Sequence, residues 1–133
     1  MRFSLDVPVQ RREIKDEAMR LELPIMPPST NNLYCNVPGA GRVKTQRYRD
    51  WLNTCGMILR SQVTGRLGGR VDILIRLEDS HPTRDASNCI KPLEDLLVKV
   101  GAIANDNAKH VRKISAEWAP IKGVEIQINR VAA

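Results

Sequence analysis

The stretch RDASNCIKPLEDLLVKVGAIAND, residues 84–106, decides how the chain folds. Ile90, Leu93, Leu97 and Val100 recur at spacings of three and four, which puts them on one apolar stripe of a helix. Lys91 and Asp95 are four apart and stack on another face of it. Pro92 is not tolerated deep in a helix, so the helix is predicted to begin between Ser87 and Lys91, with Ser87 or Asn88 available as its cap. Gly101 is its stop.

Asp85 then lies just ahead of the helix, Lys91 in its first turns, and Asp106 beyond a short apolar link. A chain that folds back brings the three to one end of the unit, beside a helix N-terminus. Two carboxylates and an ammonium there suit a hard divalent cation and a phosphate. The spacing leaves two readings open for each. Asp85 and Asp106 converge on a cation, or Asp85 ends a loop and Asp106 sits in the turn Asn105-Asp106-Asn107. Lys91 meets a phosphate with Asp95 as its support, or is an exposed lysine paired with Asp95.

Upstream, residues 70–79 are the cleanest strand, with Val71, Ile73, Ile75 and Leu77 on one face, and read as a central strand. The loop Ser80-His81-Pro82-Thr83 delivers Arg84 and Asp85 to its end, and His81 reads as a surface residue rather than a base. Residues 45–61 read as a second helix, capped by Thr45, with Tyr48, Trp51, Leu52, Cys55 and Leu59 inward. Its entry is basic: Arg42, Lys44, Arg47 and Arg49 suit backbone phosphates or form a solvated charged face. Residues 29–46 read as a long loop, and 19–26 as a strand ended by Pro24 and Pro27-Pro28.

Downstream, Ile114, Ala116 and Trp118 alternate, as do Val124, Ile126 and Ile128. Pro120 to Gly123 joins the two strands, so an antiparallel hairpin is expected. The order β-α-β-α-β-β predicts an α/β domain of the α+β type: a mixed sheet of about four to five strands packed by two main helices. Residues 19–133 form this single domain, and residues 1–18 an N-terminal arm or edge strand.

Composition narrows the partners. Aromatic residues are only 4% of the chain, which argues against reading single strands with rows of stacked rings. The 21 Lys and Arg against 15 Asp and Glu leave a net +6, which favours a polyanion such as nucleic acid. Three cysteines and two histidines, with no C-x-x-C pair, exclude a disulfide framework and a zinc site and point to the cytoplasm. No apolar run reaches membrane-spanning length, so no membrane is expected.

The run Arg84-Asp85-Ala86-Ser87-Asn88-x-x-Lys91-Pro92-Leu93-x-Asp95-Leu96-Leu97, followed by Gly101-x-Ile103-x-Asn105-Asp106, resembles the signature of the RusA family of Holliday junction resolvases. That signature reads approximately D-x-D-N-x-x-K-x-x-x-D-x-L, then G-x-x-x-D-D. Pro28-Ser29-x-Asn31-x-x-Tyr34, Gly41-Arg42, Lys44 and Tyr48-Arg49-x-Trp51 look like the family's N-terminal loop and first helix. The resemblance spans about residues 20–131. It implies a homodimeric, Mg²⁺-dependent endonuclease, with Mn²⁺ a possible substitute, that nicks four-way DNA junctions symmetrically in recombination and repair. It makes Asp85 and Asp106 metal-binding carboxylates and Lys91 the catalytic lysine. Asn88, Asp95 and Asn105 support them, and Arg84 joins Arg42, Lys44, Arg47 and Arg49 on the DNA. Ser87 stands where the pattern has its second Asp, and Asn105 where it often has another. Ser87 would then reach the metal weakly or through water, which implies weaker metal affinity and leaves a junction-binding homodimer that cuts poorly as the alternative.

Overall fold

The computed structural model describes residues 9–131. The first eight residues of the expected N-terminal arm lie outside the described residues. At its centre stands β6 (Val71–Glu78), whose residues alternate between buried and half-buried along its whole length. The backbone N–H and C=O groups along both edges of such an inner strand need partners. It finds them in β7 (Val111–Ala119), parallel to it, and β8 (Val124–Arg130), antiparallel to it. β2 (Ala18–Leu23) adds to the far edge of β8, giving a four-stranded mixed sheet in the order β2-β8-β6-β7.

The two helices cover one face of this sheet. α1 (Gln46–Gln62) buries Tyr48, Trp51, Leu52, Cys55 and Leu59, and α2 (Ser87–Lys99) buries Cys89, Leu93, Leu96 and Leu97. They meet Leu21, Ile73, Ile75, Leu77, Ile126 and Ile128 in one core. The opposite face carries ion pairs. Arg76 lies 2.9 Å from Glu125 and 3.3 Å from Glu117, and Arg112 holds Asp72 with both arms of its guanidinium. The result is the mixed α+β architecture that the element pattern predicts.

The expected hairpin of the last two strands does not form, because β6 separates them. The reason is local to the end of β6. Ala119 accepts the Asp79 N–H, while Gly123 exchanges two bonds with Glu78: its N–H donates to the Glu78 carboxylate at 2.8 Å, and its carbonyl accepts the Glu78 N–H at 2.9 Å. The connection therefore bridges across the tip of β6 instead of turning back on itself. Gly123 has φ +77°, and a Cβ there would collide with the Leu23 carbonyl and the Pro24 backbone.

Two short additions complete the chain. β1 (Glu13–Ile14) pairs in parallel with β5 (Arg66–Leu67), and the residues before it run along the end of α2, where the Val9 N–H donates to Lys99 O at 2.8 Å. The expected loop at 29–46 holds a 3-10 turn (Thr30–Asn32) and then a two-stranded ribbon, β3 (Tyr34–Val37) and β4 (Gly41–Lys44). Its alternation escapes a sequence reading because neither face of the ribbon is buried in the core. Among the described residues no helix is long and apolar enough to cross a membrane.

Candidate active site on helix α2

α2 is reached from β6 through the loop containing Arg84 and Asp85. Its first turn is tightened by i→i+3 bonds: Asn88 N–H to Asp85 O at 3.1 Å and Cys89 N–H to Ala86 O at 3.0 Å. Ala86 occupies the cap position in helical geometry and offers no side chain to the turn, so neither Ser87 nor Asn88 acts as the expected cap. Pro92 sits in the sixth helical position and is buried, where it has no N–H to give the helix ladder.

The far end of α2 makes a two-bond glycine stop. The Gly101 N–H donates to Val98 O at 3.1 Å and the Ala102 N–H to Leu97 O at 3.0 Å, with Gly101 at φ +81°. This turn sends the chain back along the helix. Ala102 and Ile103 anchor it in the core, and Asp106 arrives beside Lys91. Asn105 orients that arrival, since its side-chain oxygen accepts the Asp106 N–H at 2.7 Å.

The Lys91 ammonium lies 3.1 Å from Asp95 Oδ1 and 3.2 Å from Asp106 Oδ2. The hydrogen bond and charge of Asp95, then those of Asp106, raise the lysine pKa and keep it protonated. Burial pushes the Asp106 carboxyl up, but the hydrogen bond and charge of Lys91 outweigh it and hold the carboxyl below its usual range. Glu94 joins from the same helix. Burial raises its pKa, and a hydrogen bond with Asp106 raises it further. Glu94 is a site residue that the sequence reading passed over; its signal was the i, i+3 spacing from Lys91. Two carboxylates thus hold the one ammonium, and Glu94 stands beside Asp106. Asp95 also faces Tyr48 of α1, whose buried hydroxyl is driven well above its normal pKa first by burial and then by that carboxylate.

The other predicted residues fall elsewhere. Asp85 contributes its backbone carbonyl to α2, accepting from Asn88 N–H and, at 3.8 Å, from the Cys89 thiol. Among the described residues no ion pair links it to Lys91. Ser87 and Asn88 are exposed at the helix start. Arg84 donates to Pro27 O at 2.9 Å, so its guanidinium ties the exit of β2 to the entry of α2. Arg42 stacks on the Tyr34 ring at 5.0 Å, Arg49 donates to Lys44 O at 2.8 Å and to Gln46 Oε1 at 2.9 Å, and Arg47 is exposed on the first turn of α1.

The donors are all oxygens of the hard class, the kind that Mg²⁺ takes. Among the described residues no three His, Cys, Asp or Glu side chains form a group able to hold a metal ion. Mg²⁺ does not require such a cage, because it is commonly held by one or two carboxylates, with waters and substrate phosphates completing its shell. Of the two carboxylates expected to hold it, Asp106 is engaged by Lys91, and Asp85 enters the contacts around α2 through its backbone carbonyl. No family model matches the chain, and no curated protein matches it.

Proposed function

We propose that the protein is a metal-dependent endonuclease that resolves four-way DNA junctions as a homodimer, in recombination or repair. The observation that carries this reading is the Lys91 ammonium clasped between Asp95 and Asp106 where α2 and the returning chain meet. The arrangement suits charge stabilisation at a phosphate. The two acids keep Lys91 protonated and orient it, and its ammonium meets the charge that develops on the scissile phosphate. Asp85 and Asp106 would hold Mg²⁺, or Mn²⁺ in its place, with Ser87 reaching it through water. When bound, the ion supplies polarisation of the phosphoryl oxygen and an acidified water. Arg42, Lys44, Arg47 and Arg49 would take backbone phosphates. A two-fold dimer presents two equivalent sites to a branched substrate of matching symmetry. Three unpaired cysteines suit a reducing cytoplasm as the place of action.

A second reading is favoured by the position of Asp85, which is tied to neither Lys91 nor Asp106: the same homodimer binds branched DNA and cuts it poorly. The deciding experiment incubates purified protein with a synthetic four-way junction in Mg²⁺, Mn²⁺ or chelator, beside Asp85→Asn. Junction binding is followed in parallel by fluorescence anisotropy. Symmetric, metal-dependent nicks that vanish in the variant are expected. Tight binding without nicks in either metal would leave the second reading, and absence of junction binding would remove both.

A further inference from the structure

Among the described residues, the ribbon β3–β4 stands out as an element that the core does not explain. Its register pairs Tyr34 with Lys44, Asn36 with Arg42, Cys35 with Val43, and Val37 with Gly41. Directly opposed residues share a face, so Tyr34, Asn36, Arg42 and Lys44 line one side, and Cys35, Val37 and Val43 the other. The ribbon is therefore two-faced, yet no sheet covers its apolar side, and Val37 is 40% exposed.

Its base is rigid and its tip is open. Tyr34 packs edge-on against the buried Tyr48 ring at 5.9 Å, and Tyr48 stacks on Trp51 at 6.3 Å. The Thr45 N–H donates to Leu33 O at 3.0 Å, closing the ribbon where α1 begins. Arg42 is held over the Tyr34 ring. At the other end Pro38-Gly39 makes a tight turn: the Ala40 N–H donates to Val37 O at 3.0 Å, with Gly39 at φ +82°. A Cβ placed on Gly39 or Gly41 would meet nothing, so the tip stands clear of the rest of the molecule.

We propose that this ribbon is a wedge for branched or distorted duplex DNA, its uncharged Val37-Pro38-Gly39-Ala40 tip entering an opened base step and Arg42 and Lys44 holding the flanking phosphates. Charge selects the occupant, because the cations sit on the ribbon itself in a chain of net +6. Reach permits it: strands of four residues extend about 13 Å, more than the depth of about 8.5 Å of a major groove. Apolar wedges accompanied by arginine or lysine unstack base steps and kink the duplex. Arg42 and Lys44 on the ribbon oppose its pairing with a second copy. The inference rests on the DNA-binding half of the proposed function and is independent of cleavage.

The test uses a four-way junction carrying 2-aminopurine beside the branch point, with binding followed by anisotropy. Native protein is expected to raise the 2-aminopurine fluorescence. The variant Val37→Ser/Ala40→Ser, which keeps the Pro38-Gly39 turn, should bind within about fivefold of native yet lose that rise. Native Cys35, exposed on the ribbon while Cys55 and Cys89 are buried, supplies a second readout that needs no variant. Its alkylation should slow about tenfold or more when DNA is bound. An unchanged fluorescence rise in the variant, or Cys35 reacting equally fast free and bound, overturns the wedge. So does Cys35 protection that grows with protein concentration without DNA, which would mean a second copy covers the ribbon. Native protein that binds no junction overturns the wedge and the nuclease together, whereas binding with a rise but no nicks removes the nuclease alone.

Discussion

The Lys91 ammonium lies 3.2 Å from the Asp106 carboxylate across the turn that ends α2, 15 positions apart in sequence. Two features bring them together: the glycine stop at Gly101, which reverses the chain, and the Asn105 side chain, which pins the Asp106 N–H. The pair is solvent-accessible, with 67% of the Lys91 side chain and 27% of the Asp106 side chain exposed. Exposed pairs of this kind contribute at most about 1 kcal/mol to stability.

This separates function from folding at Lys91. Lys91→Met should lower junction nicking by about 100-fold or more, the usual loss when a donor to developing charge is removed. It should leave the thermal midpoint within a few degrees of native, as expected for about 1 kcal/mol or less. Single-turnover nicking and thermal denaturation on the same preparation check this. A variant that nicks at the native rate would remove Lys91 from the chemistry.

How much of this was legible beforehand varies by residue. Leu93, Leu97 and Val100 announce the buried stripe of α2 by spacing alone; Cys89 and Leu96 join it because α2 is covered by both the sheet and α1. Lys91 with Asp95 follows from the i, i+4 rule. Asp106 joins only through the stop at Gly101, whose backbone direction no spacing encodes. The last two strands look like a hairpin because their turn signal is local, whereas the demand of β6 for two neighbours is not. The ribbon at 34–44 was hidden for the opposite reason: exposed strands lack the buried alternation that marks a strand in sequence.

Gly123 is predicted to be intolerant of a side chain. Its φ of +77° strains any L residue, and a Cβ would collide with the carbonyl of Leu23 on the neighbouring edge of the sheet. Gly123→Ala should destabilise the fold by about 2 kcal/mol or more, lowering the thermal midpoint by about 6 °C or more. Gly39→Ala also has a positive φ, at +82°, but meets nothing, so it should cost less. Equal midpoints for the two variants would show that the contact at Leu23 is unimportant.

Salt dependence measures the basic surface. If Arg42 and Lys44 each neutralise one phosphate, the double variant Arg42→Gln/Lys44→Gln should flatten the plot of log affinity against log salt by about 1.8 for duplex arms. Arg84→Gln should change that slope little, because its guanidinium is engaged with the Pro27 carbonyl, and should instead lower stability. Anisotropy titrations across a salt series, with native junction as reference, distinguish the two. A slope that falls for Arg84→Gln but not for the double variant would move the DNA footprint from the ribbon to the entry of α2.

Alkaline pH should weaken the fold in a window set by buried acids. Burial raises the Cys55 thiol from its ordinary 9.0 to about 12. Above pH 9 the unfolded chain releases this proton while the folded chain keeps it. The unfolded state then binds fewer protons, and stability falls as pH rises from about 9 toward 12, with a limiting slope of about 1.4 kcal/mol per pH unit for one group. Tyr48, whose hydroxyl is also raised by burial, adds to the loss above its ordinary 10.0. Urea unfolding at pH 8, 9, 10 and 11 should show this decline. Cys55→Ala should start less stable, having lost core packing, yet decline less steeply between pH 9 and 10, where Tyr48 contributes little. If the two proteins lose stability in parallel across that interval, Cys55 is not the group whose ionisation opposes the fold.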